Sequence, residues 1–185
     1  SLAFAPASGA LIAGSKTGVT SYEAGHLQQA WQTATQTAVR DVAPSGDGQH
    51  LLAGLDDGTL LLLDGRDGAL VESWPGYSGD IGVEAVAWSP DQAGTGSLAA
   101  AGFVDGHILL LRIAEEAVET IGGLPRQESG ISALAFNPDG RILATGNNSG
   151  ELHLIDLESQ LLLATFADHS NRIEDIAWSP DGARL

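Results

Sequence analysis

Short apolar runs alternate with turn-forming residues along the whole chain. The clearest unit contains four runs of strand length, at residues 131–136, 141–146, 151–156 and 161–166. Between them stand turn sequences such as Asn-Pro-Asp-Gly at 137–140 and Asn-Asn-Ser-Gly at 147–150. Runs of five or six residues are typical of strands and too short for an ordinary helix. The pattern therefore predicts an all-β unit of four short strands, here named a to d.

The same unit recurs with a period of a little over forty residues. Its first landmark is the turn after strand a, whose matched positions are Pro6, Gly46, Pro90, Pro138 and Pro180, separated by 40, 44, 48 and 42 residues. A glycine in the turn between strands b and c follows 12 residues later in three copies. In the Pro90 copy it follows 16 residues later, which indicates a turn insertion at residues 93–96. Two landmarks that recur in this order predict a tandem repeat.

The repeated unit reads hydrophobic-x-x-hydrophobic-Ala-aromatic-Ser-Pro-Asp-Gly, then a strand ending in Ala-x-Gly, then Asp-Gly and a strand ending in hydrophobic-Asp. This pattern resembles the WD40 repeat over essentially the whole chain. The resemblance implies a β-propeller of four-stranded antiparallel blades, with strand a innermost and strand d outermost. It implies a partial propeller, with four blades and the stub of a fifth at about residues 1–36, 37–80, 81–128, 129–170 and 171–185.

The strand-a positions fit this arrangement. The residue before the aromatic position is alanine in all five copies, as expected where blades crowd toward an axis. At the aromatic position we expect Phe4, Trp88, Phe136 and Trp178 to pack between neighbouring blades. Residues Ile173 to Trp178 are predicted to be the inner strand of a fifth blade whose other strands lie outside this chain. Such a piece would leave strand edges and apolar surface open, so the remainder of its own propeller is an expected partner.

The chain also departs from the family pattern. Strand c has no tryptophan before its final residue, and the buried set of His, Ser/Thr, Asp and Trp is mostly missing. Asp57 and Asp105 occupy the family's aspartate position, whereas Thr17 and Ser149 replace it elsewhere. Only residues 168–171 resemble the Gly-His element before strand a. We therefore expect blade cohesion to depend mainly on packing of Leu, Ile, Val and Ala.

The charge and the composition of the chain limit the kinds of molecule that we expect it to bind. Acidic residues outnumber basic ones by 24 to 8, for a formal charge of -16, so nucleic acid and anionic lipid headgroups are repelled on average. No apolar run approaches the roughly 20 residues needed to cross a bilayer, and no address signal is visible, so we expect a cytoplasmic protein. The chain has no cysteine, which excludes disulfides and thiolate metal sites.

No constellation predicts catalysis, a cofactor or a metal. The five histidines, His26, His50, His107, His153 and His169, are dispersed and are best interpreted as surface or hydrogen-bonded structural residues. Acidic pairs at 56–57, 115–116 and 174–175 are adjacent along strands or turns, where neighbouring side chains point to opposite faces. Trp31 and Trp74, on outer strands, are expected to be half-buried packing residues rather than partner anchors.

Three hypotheses of function follow. The first is a non-catalytic protein-interaction scaffold, one propeller in a multiprotein assembly. The alternatives are a propeller that recognises a ligand or modified peptide, which would need an aromatic cage, and a propeller hydrolase, which would need converging His and carboxylates. A narrower resemblance of residues 161–176 and 179–182 to echinoderm-microtubule-associated-protein-like propellers implies a cytoskeletal or ciliary assembly.

Overall fold

The computed structural model describes residues 1–75, 81–90, 96–114 and 117–185. Within these ranges no residue is helical, so no helix there could span a membrane. The predicted turn insertion at 93–96, apart from Gly96, and the acidic pair at 115–116 lie outside the described residues. The described strands are β1 Leu2–Ala5, β2 Ala10–Ser15, β3 Gly18–Tyr22, β4 Gln29–Ala34, β5 Val39–Pro44, β6 His50–Leu55, β7 Leu60–Asp64, β8 Leu70–Trp74, β9 Val83–Trp88, β10 Ser97–Phe103, β11 Ile108–Ala114, β12 Ala117–Gly123, β13 Ile131–Phe136, β14 Ile142–Asn147, β15 Leu152–Asp156 and β16 Leu161–Phe166.

The strands form four separate four-stranded sheets, each in the order in which its strands follow along the chain. We call them the first to the fourth sheet: β1–β4, β5–β8, β9–β12 and β13–β16. The pairings whose register is described are antiparallel, as tight turns between consecutive strands require. This confirms the predicted fold class of four-stranded antiparallel blades.

The chain divides into two compact units, residues 1–86 and 87–185, with the boundary inside β9. In the first unit, residues of the first two sheets share an apolar core that includes Ile12, Val19, Leu51 and Leu63. Both faces of β6 are covered, since Leu51 and Leu52 are 1% and 0% exposed. That is why this strand has a continuous apolar run rather than an alternating one.

The second unit has an equivalent core between the third and fourth sheets. Its buried members include Ile108 and Leu110 of β11, Ile131 and Phe136 of β13, and Ile155 of β15. The predicted packing of the aromatic position is therefore observed at Phe136, which is 8% exposed. It is not observed at Phe4, which is 60% exposed, because no sheet within the first unit covers that face of β1.

A glycine in each strand b meets a β-branched residue, which begins the next inner strand in the first three copies and the predicted inner strand in the last. A Cβ atom placed on Gly14, Gly54, Gly102 or Gly146 would lie 2.8, 2.4, 2.3 or 2.6 Å from a side-chain carbon of Val39, Val83, Ile131 or Ile173. Real Cβ atoms essentially never come this close, so a larger residue at these positions would force the facing side chain or its strand to shift. The glycine near the end of strand b is therefore explained by the close approach of the β-branched residue that follows in the next repeat.

The outer strand of each sheet carries an irregularity at the same place. The pairing between strands c and d shifts register at Ser21/Tyr22, Leu62/Leu63, Leu110/Leu111 and Leu154/Ile155. Such bulges increase local twist and discourage unwanted pairing at a sheet edge.

Residues 167–185 contain no strand, although a strand was predicted at Ile173 to Trp178. The segment does lie against the fourth sheet: Ile173 N–H donates to Asn147 O at 3.1 Å, and Trp178 Nε1 donates to Ala135 O at 3.2 Å. The Ser132 hydroxyl donates to Ile173 O at 2.7 Å. The residues are thus attached near the predicted place, but none of the described residues forms a strand ladder with them, and a ladder is what defines a strand.

Candidate interaction surface

The turns between strands b and c lie beside the segments that precede the inner strands. Four backbone hydrogen bonds join the two kinds of segment, Thr35 N–H to Thr17 O at 3.2 Å, Asp56 N–H to Ala38 O at 2.9 Å, Gln127 N–H to Gly106 O at 3.0 Å and Asn148 N–H to Gly130 O at 2.9 Å. We call this surface the turn rim and define it, in each unit, by the b–c turns (16–18, 56–58, 104–106 and 148–150), the segments that precede the inner strands (35–38, 126–130 and 168–172) and Arg40, which pairs with Asp56. The ion pairs of Arg40 with Asp56 and of Arg126 with Asp105 lie on this rim.

In the first unit the rim carries an arginine between two carboxylates. Arg40 Nε donates to Asp56 Oδ1 at 2.7 Å, and its NH1 lies 3.9 Å from Glu84 Oε1. The hydrogen bond with Asp56 raises the pKa of Arg40 above its usual value. The Arg40 and Asp56 side chains are 48% and 47% exposed, so this ion pair faces solvent.

In the second unit the rim carries Asp105 between a histidine and an arginine. Its Oδ2 lies 2.6 Å from His107 Nδ1 and 3.5 Å from Arg126 NH2, while Arg126 Nε donates to Asp105 O at 3.0 Å. Partial burial by itself would raise the pKa of Asp105. The hydrogen bonds from the His107 ring and backbone, with the charge of Arg126, outweigh burial and lower this pKa.

A buried polar network lies beneath the rim of the second unit. Gln127 Nε2 donates to Thr145 Oγ1, and Asn147 Nδ2 donates to Gln127 Oε1 at 3.3 Å and to Glu151 Oε2 at 2.9 Å. Asn147 Oδ1 accepts the backbone N–H groups of Ser149 and Glu151, each at 3.0 Å. Thr145 and Asn147 are 0% exposed and Gln127 is 5% exposed. The network fixes the b–c turn of the fourth sheet.

The network adds polar contacts to the predicted packing of Leu, Ile, Val and Ala, which the apolar cores of the two units bear out. Gln127, Thr145 and Asn147 join the segment before β13 to β14 through amide and hydroxyl groups, which sequence analysis did not single out. One signal could have found Gln127: it stands four residues before Ile131, the same offset that separates His169 from Ile173. The contacts of Gln127 with Thr145 and Asn147 depend on how the segment before β13 lies against β14 and have no local signature.

The structure separates the other residues that the sequence singled out. Within the described ranges, no group of three or more His, Asp or Glu side chains is placed to hold a metal ion. Asp56 pairs with Arg40, whereas Asp57 accepts the Thr59 backbone N–H at 2.9 Å. Glu174 lies 3.6 Å from Arg172, whereas Asp175 accepts the Ile176 backbone N–H at 2.8 Å. The carboxylates of each pair therefore have different partners.

Like the acidic pairs, the histidine and tryptophan residues do not come together in one site among the described residues. His153 Nε2 is buried and lies 3.6 Å from Glu151 Oε2. Trp31, on β4, is partly buried against the core of the first unit, which agrees with its predicted packing role. Trp74 ends β8 with intermediate exposure.

Sheets of four antiparallel strands that repeat along a chain in this way are the blades of β-propeller proteins. Comparison with family models gives two matches: residues 86–181, just over half of the chain, match the anaphase-promoting complex subunit 4 WD40 domain, and residues 25–64 match the WD domain, G-beta repeat. The chain belongs to the WD40-repeat family.

Several curated proteins are similar to the chain. WD repeat-containing protein VIP3 of Arabidopsis thaliana is 29% identical over 91% of this chain and 53% of its own length. WD repeat-containing protein slp1 of Schizosaccharomyces pombe is 26% identical over 85% of this chain and 30% of its own length. The B-type cell cycle switch protein ccs52A of Medicago truncatula is 28% identical over 72% of this chain and 26% of its own length. The chain thus spans about half of these relatives or less.

Solved structures agree on the fold. A chain in the crystal structure of the mitotic checkpoint complex matches 97% of this chain with a TM-score of 0.82 and 23% identity, and 52% of that chain is covered. The Cps50 (Swd1) β-propeller domain of Myceliophteria thermophila matches 98% of this chain with a TM-score of 0.81 and 17% identity, and 59% of it is covered. WD40 propellers are typically non-catalytic interaction scaffolds, so the family supports a protein-interaction role.

Proposed function

We propose that this chain is a non-catalytic scaffold that holds other proteins in a multiprotein assembly through its turn rim. The observation that carries the proposal is the set of exposed ion pairs on the rim. Exposed pairs such as Arg40–Asp56 contribute only about 0–1 kcal/mol to stability, so their charges remain available to a partner. Surface charges of both signs orient an approaching partner and reject others.

Membership of the WD40-repeat family favours proteins, rather than other macromolecules, as the binding partners of this chain. The relatives include a protein named for cell-cycle switching, and the family model is named for a subunit of the anaphase-promoting complex. These names favour a cell-division assembly as the setting. The formal charge of -16 opposes direct binding of nucleic acid or an anionic membrane. We also propose that the protein is located in the cytoplasm.

A cytoskeletal or ciliary setting remains a finer prediction. It depends on the resemblance within residues 161–182 to echinoderm-microtubule-associated-protein-like propellers. The acidic charge of the chain does not favour attachment to the acidic microtubule surface, so such a setting would need an adaptor protein.

The test is quantitative affinity purification with the chain as bait. We expect Arg40→Glu and Arg126→Glu, which reverse charge on the rim, to lose partners that the unmodified chain retains. Arg141→Glu is the matched control, since Arg141 follows the turn at the other end of the fourth sheet and is 72% exposed beside Glu158. Equal recovery of the same proteins with rim and control variants would contradict the proposal, as would turnover of a small molecule by the purified chain.

A further inference from the structure

His153 places a buried imidazole nitrogen at the interface between the third and fourth sheets. Its Nε2 has no hydrogen-bond partner among the described residues, and its side chain is 15% exposed. Ile155, two residues along the same strand, is buried in the core of the second unit, so both side chains leave the same face of β15. Within the described ranges, the charged group in reach of Nε2 is the Glu151 carboxylate, whose Oε2 lies 3.6 Å away.

The fourth sheet differs from the other three at this position. Strand pairing, counted from the glycine near the end of strand b, identifies the corresponding residues of the first three sheets as Thr20, Leu61 and Leu109. The last residue of strand b differs as well: Leu55 and Phe103 are 3% and 2% exposed, whereas the fourth sheet buries Asn147 there. Burial of polar groups costs free energy that burial of apolar groups does not, so stability alone does not explain this arrangement.

Glu151 is shared between His153 and the buried polar network. Its Oε2, the same oxygen that faces the imidazole, accepts the Asn147 side-chain N–H at 2.9 Å. The Asn147 side chain is held in place, since it is 0% exposed and its Oδ1 accepts the backbone N–H groups of Ser149 and Glu151. The Glu151 side chain is 37% exposed and is therefore the member that is free to move.

Protonation of His153 changes the partner that the Glu151 carboxylate favours. Imidazole is the side chain whose charge ordinarily changes between about pH 5 and pH 8. Hydrogen bonds between two charged groups are about 2.7–2.9 Å long and roughly twice as strong as neutral ones. An imidazolium at His153 therefore draws Oε2 in from 3.6 Å, and this movement takes the oxygen away from the neutral amide of Asn147.

Other described groups around His153 do not compete for its charge. On the neighbouring strands it pairs with Thr145 and Thr165, which are uncharged. The core residues that the third sheet presents to this face are apolar. The segment before β13 carries Arg126 and Glu128, and both of these residues are exposed to solvent.

We propose that His153 and Glu151 form a pH-sensitive switch beneath the b–c turn at residues 148–150. While His153 is neutral, Glu151 holds Asn147, and Asn147 holds the turn. When His153 binds a proton, Glu151 moves to the imidazolium, Asn147 loses this acceptor and the turn loosens. The switch concerns the conformation of one turn of the rim, so it stands whether or not the rim binds a protein, and its test needs no partner.

The test is an NMR titration of the chain alone from about pH 8 to about pH 5. We expect the backbone amide resonances of Ser149 and Glu151 to shift with the same midpoint as the His153 ring. Their protection from hydrogen exchange, corrected for the intrinsic rate at each pH, should fall about two- to tenfold, the range that the net free energy of one hydrogen bond gives. Turn amides that do not shift, or that shift with a different midpoint from the ring, would overturn the proposal.

Three variants separate this switch from a second histidine near the turn. Glu151→Gln leaves the His153 ring able to titrate but removes the charge that the ring attracts, so we expect the response of the turn to disappear. His153→Gln is expected to abolish the response as well. His169→Gln is the matched control and should retain it, since the His169 carbonyl lies against Gly150 but the residue is exposed. Loss of the response in the control, or its persistence in either of the other variants, would also count against the switch.

Discussion

The carboxylate of Asp41 joins two inner strands of the first unit, because its Oδ2 accepts the backbone N–H of Val86 at 2.9 Å. Its Oδ1 accepts the neighbouring N–H of Val42, also at 2.9 Å. Inner strands are sheet edges, so their outward N–H groups have no ladder partner and need another acceptor. Asp175 holds the same place in the last copy of the repeat and accepts the Ile176 N–H at 2.8 Å.

Replacing Asp41 should destabilise the first unit. Asp41→Ala removes the acceptor of two backbone N–H groups in a partly buried setting, which we expect to cost about 1–3 kcal/mol. Asp67→Ala is the control, because Asp67 accepts one N–H, from Ala69, in an exposed turn. The measurement is urea unfolding followed by circular dichroism; equal losses in the two variants would contradict the role given to Asp41.

Alanine at Gly102 should also destabilise, for a steric reason. Its Cβ would lie 2.3 Å from Ile131 Cγ2, and overpacking of this kind costs about 1–3 kcal/mol. Gly25→Ala, where a Cβ meets nothing within 4 Å, is the matched control. The double variant with Ile131→Ala should show a favourable coupling energy in thermal unfolding, since the clash is then relieved. Strictly additive effects would show that the two residues do not interact.

Asn147 should be the most sensitive member of the buried network. Asn147→Ala leaves Gln127, Glu151 and two turn N–H groups without their shared partner, and we expect a loss of about 1–3 kcal/mol or more. Asn148→Ala provides the comparison, since the Asn148 side chain accepts from the exposed Arg172 at 3.2 Å. Chemical denaturation distinguishes the two. If Asn148 matters as much as Asn147, the buried network is not what fixes the turn.

The ion pair at the c–d turn of the second sheet predicts a pH dependence. Hydrogen bonds from the Arg66 side chain, and then from its backbone, lower the pKa of Asp64 to about 2. A depressed folded-state pKa contributes stability that is present above about pH 4 and is lost as the pH falls toward 2. Arg66→Gln should therefore raise the pKa of Asp64 toward its ordinary value in a carboxyl NMR titration. An unchanged titration midpoint would rule out Arg66 as the cause, and Arg141→Gln serves as the unaffected control.

Local sequence was sufficient for the strands of the four sheets and their order, although it also predicted a strand at Ile173 to Trp178 that is not observed. The turn at residues 137–140 was predicted from Asn-Pro-Asp-Gly, and the structure closes it with a hydrogen bond from Gly140 N–H to Asn137 O at 2.9 Å. Gly140 has φ of 70°, a conformation that glycine adopts at little cost. Runs of five or six residues between such turns leave few alternatives to antiparallel pairing of neighbours, which is why the fold class was predictable.

Contacts between sheets were not predictable in the same way. Gln127 stands 18 and 20 residues before Thr145 and Asn147, and it meets them only because the segment before β13 lies against β14. Phe4 and Phe136 hold the same repeat position, yet one is 60% and the other 8% exposed. The repeat by itself determined the sixteen described strands, though not residues 173–178, and which side chains can face a neighbouring sheet. The tertiary structure decided which of those faces are covered, since burial requires a second surface and strand pairing requires a second strand.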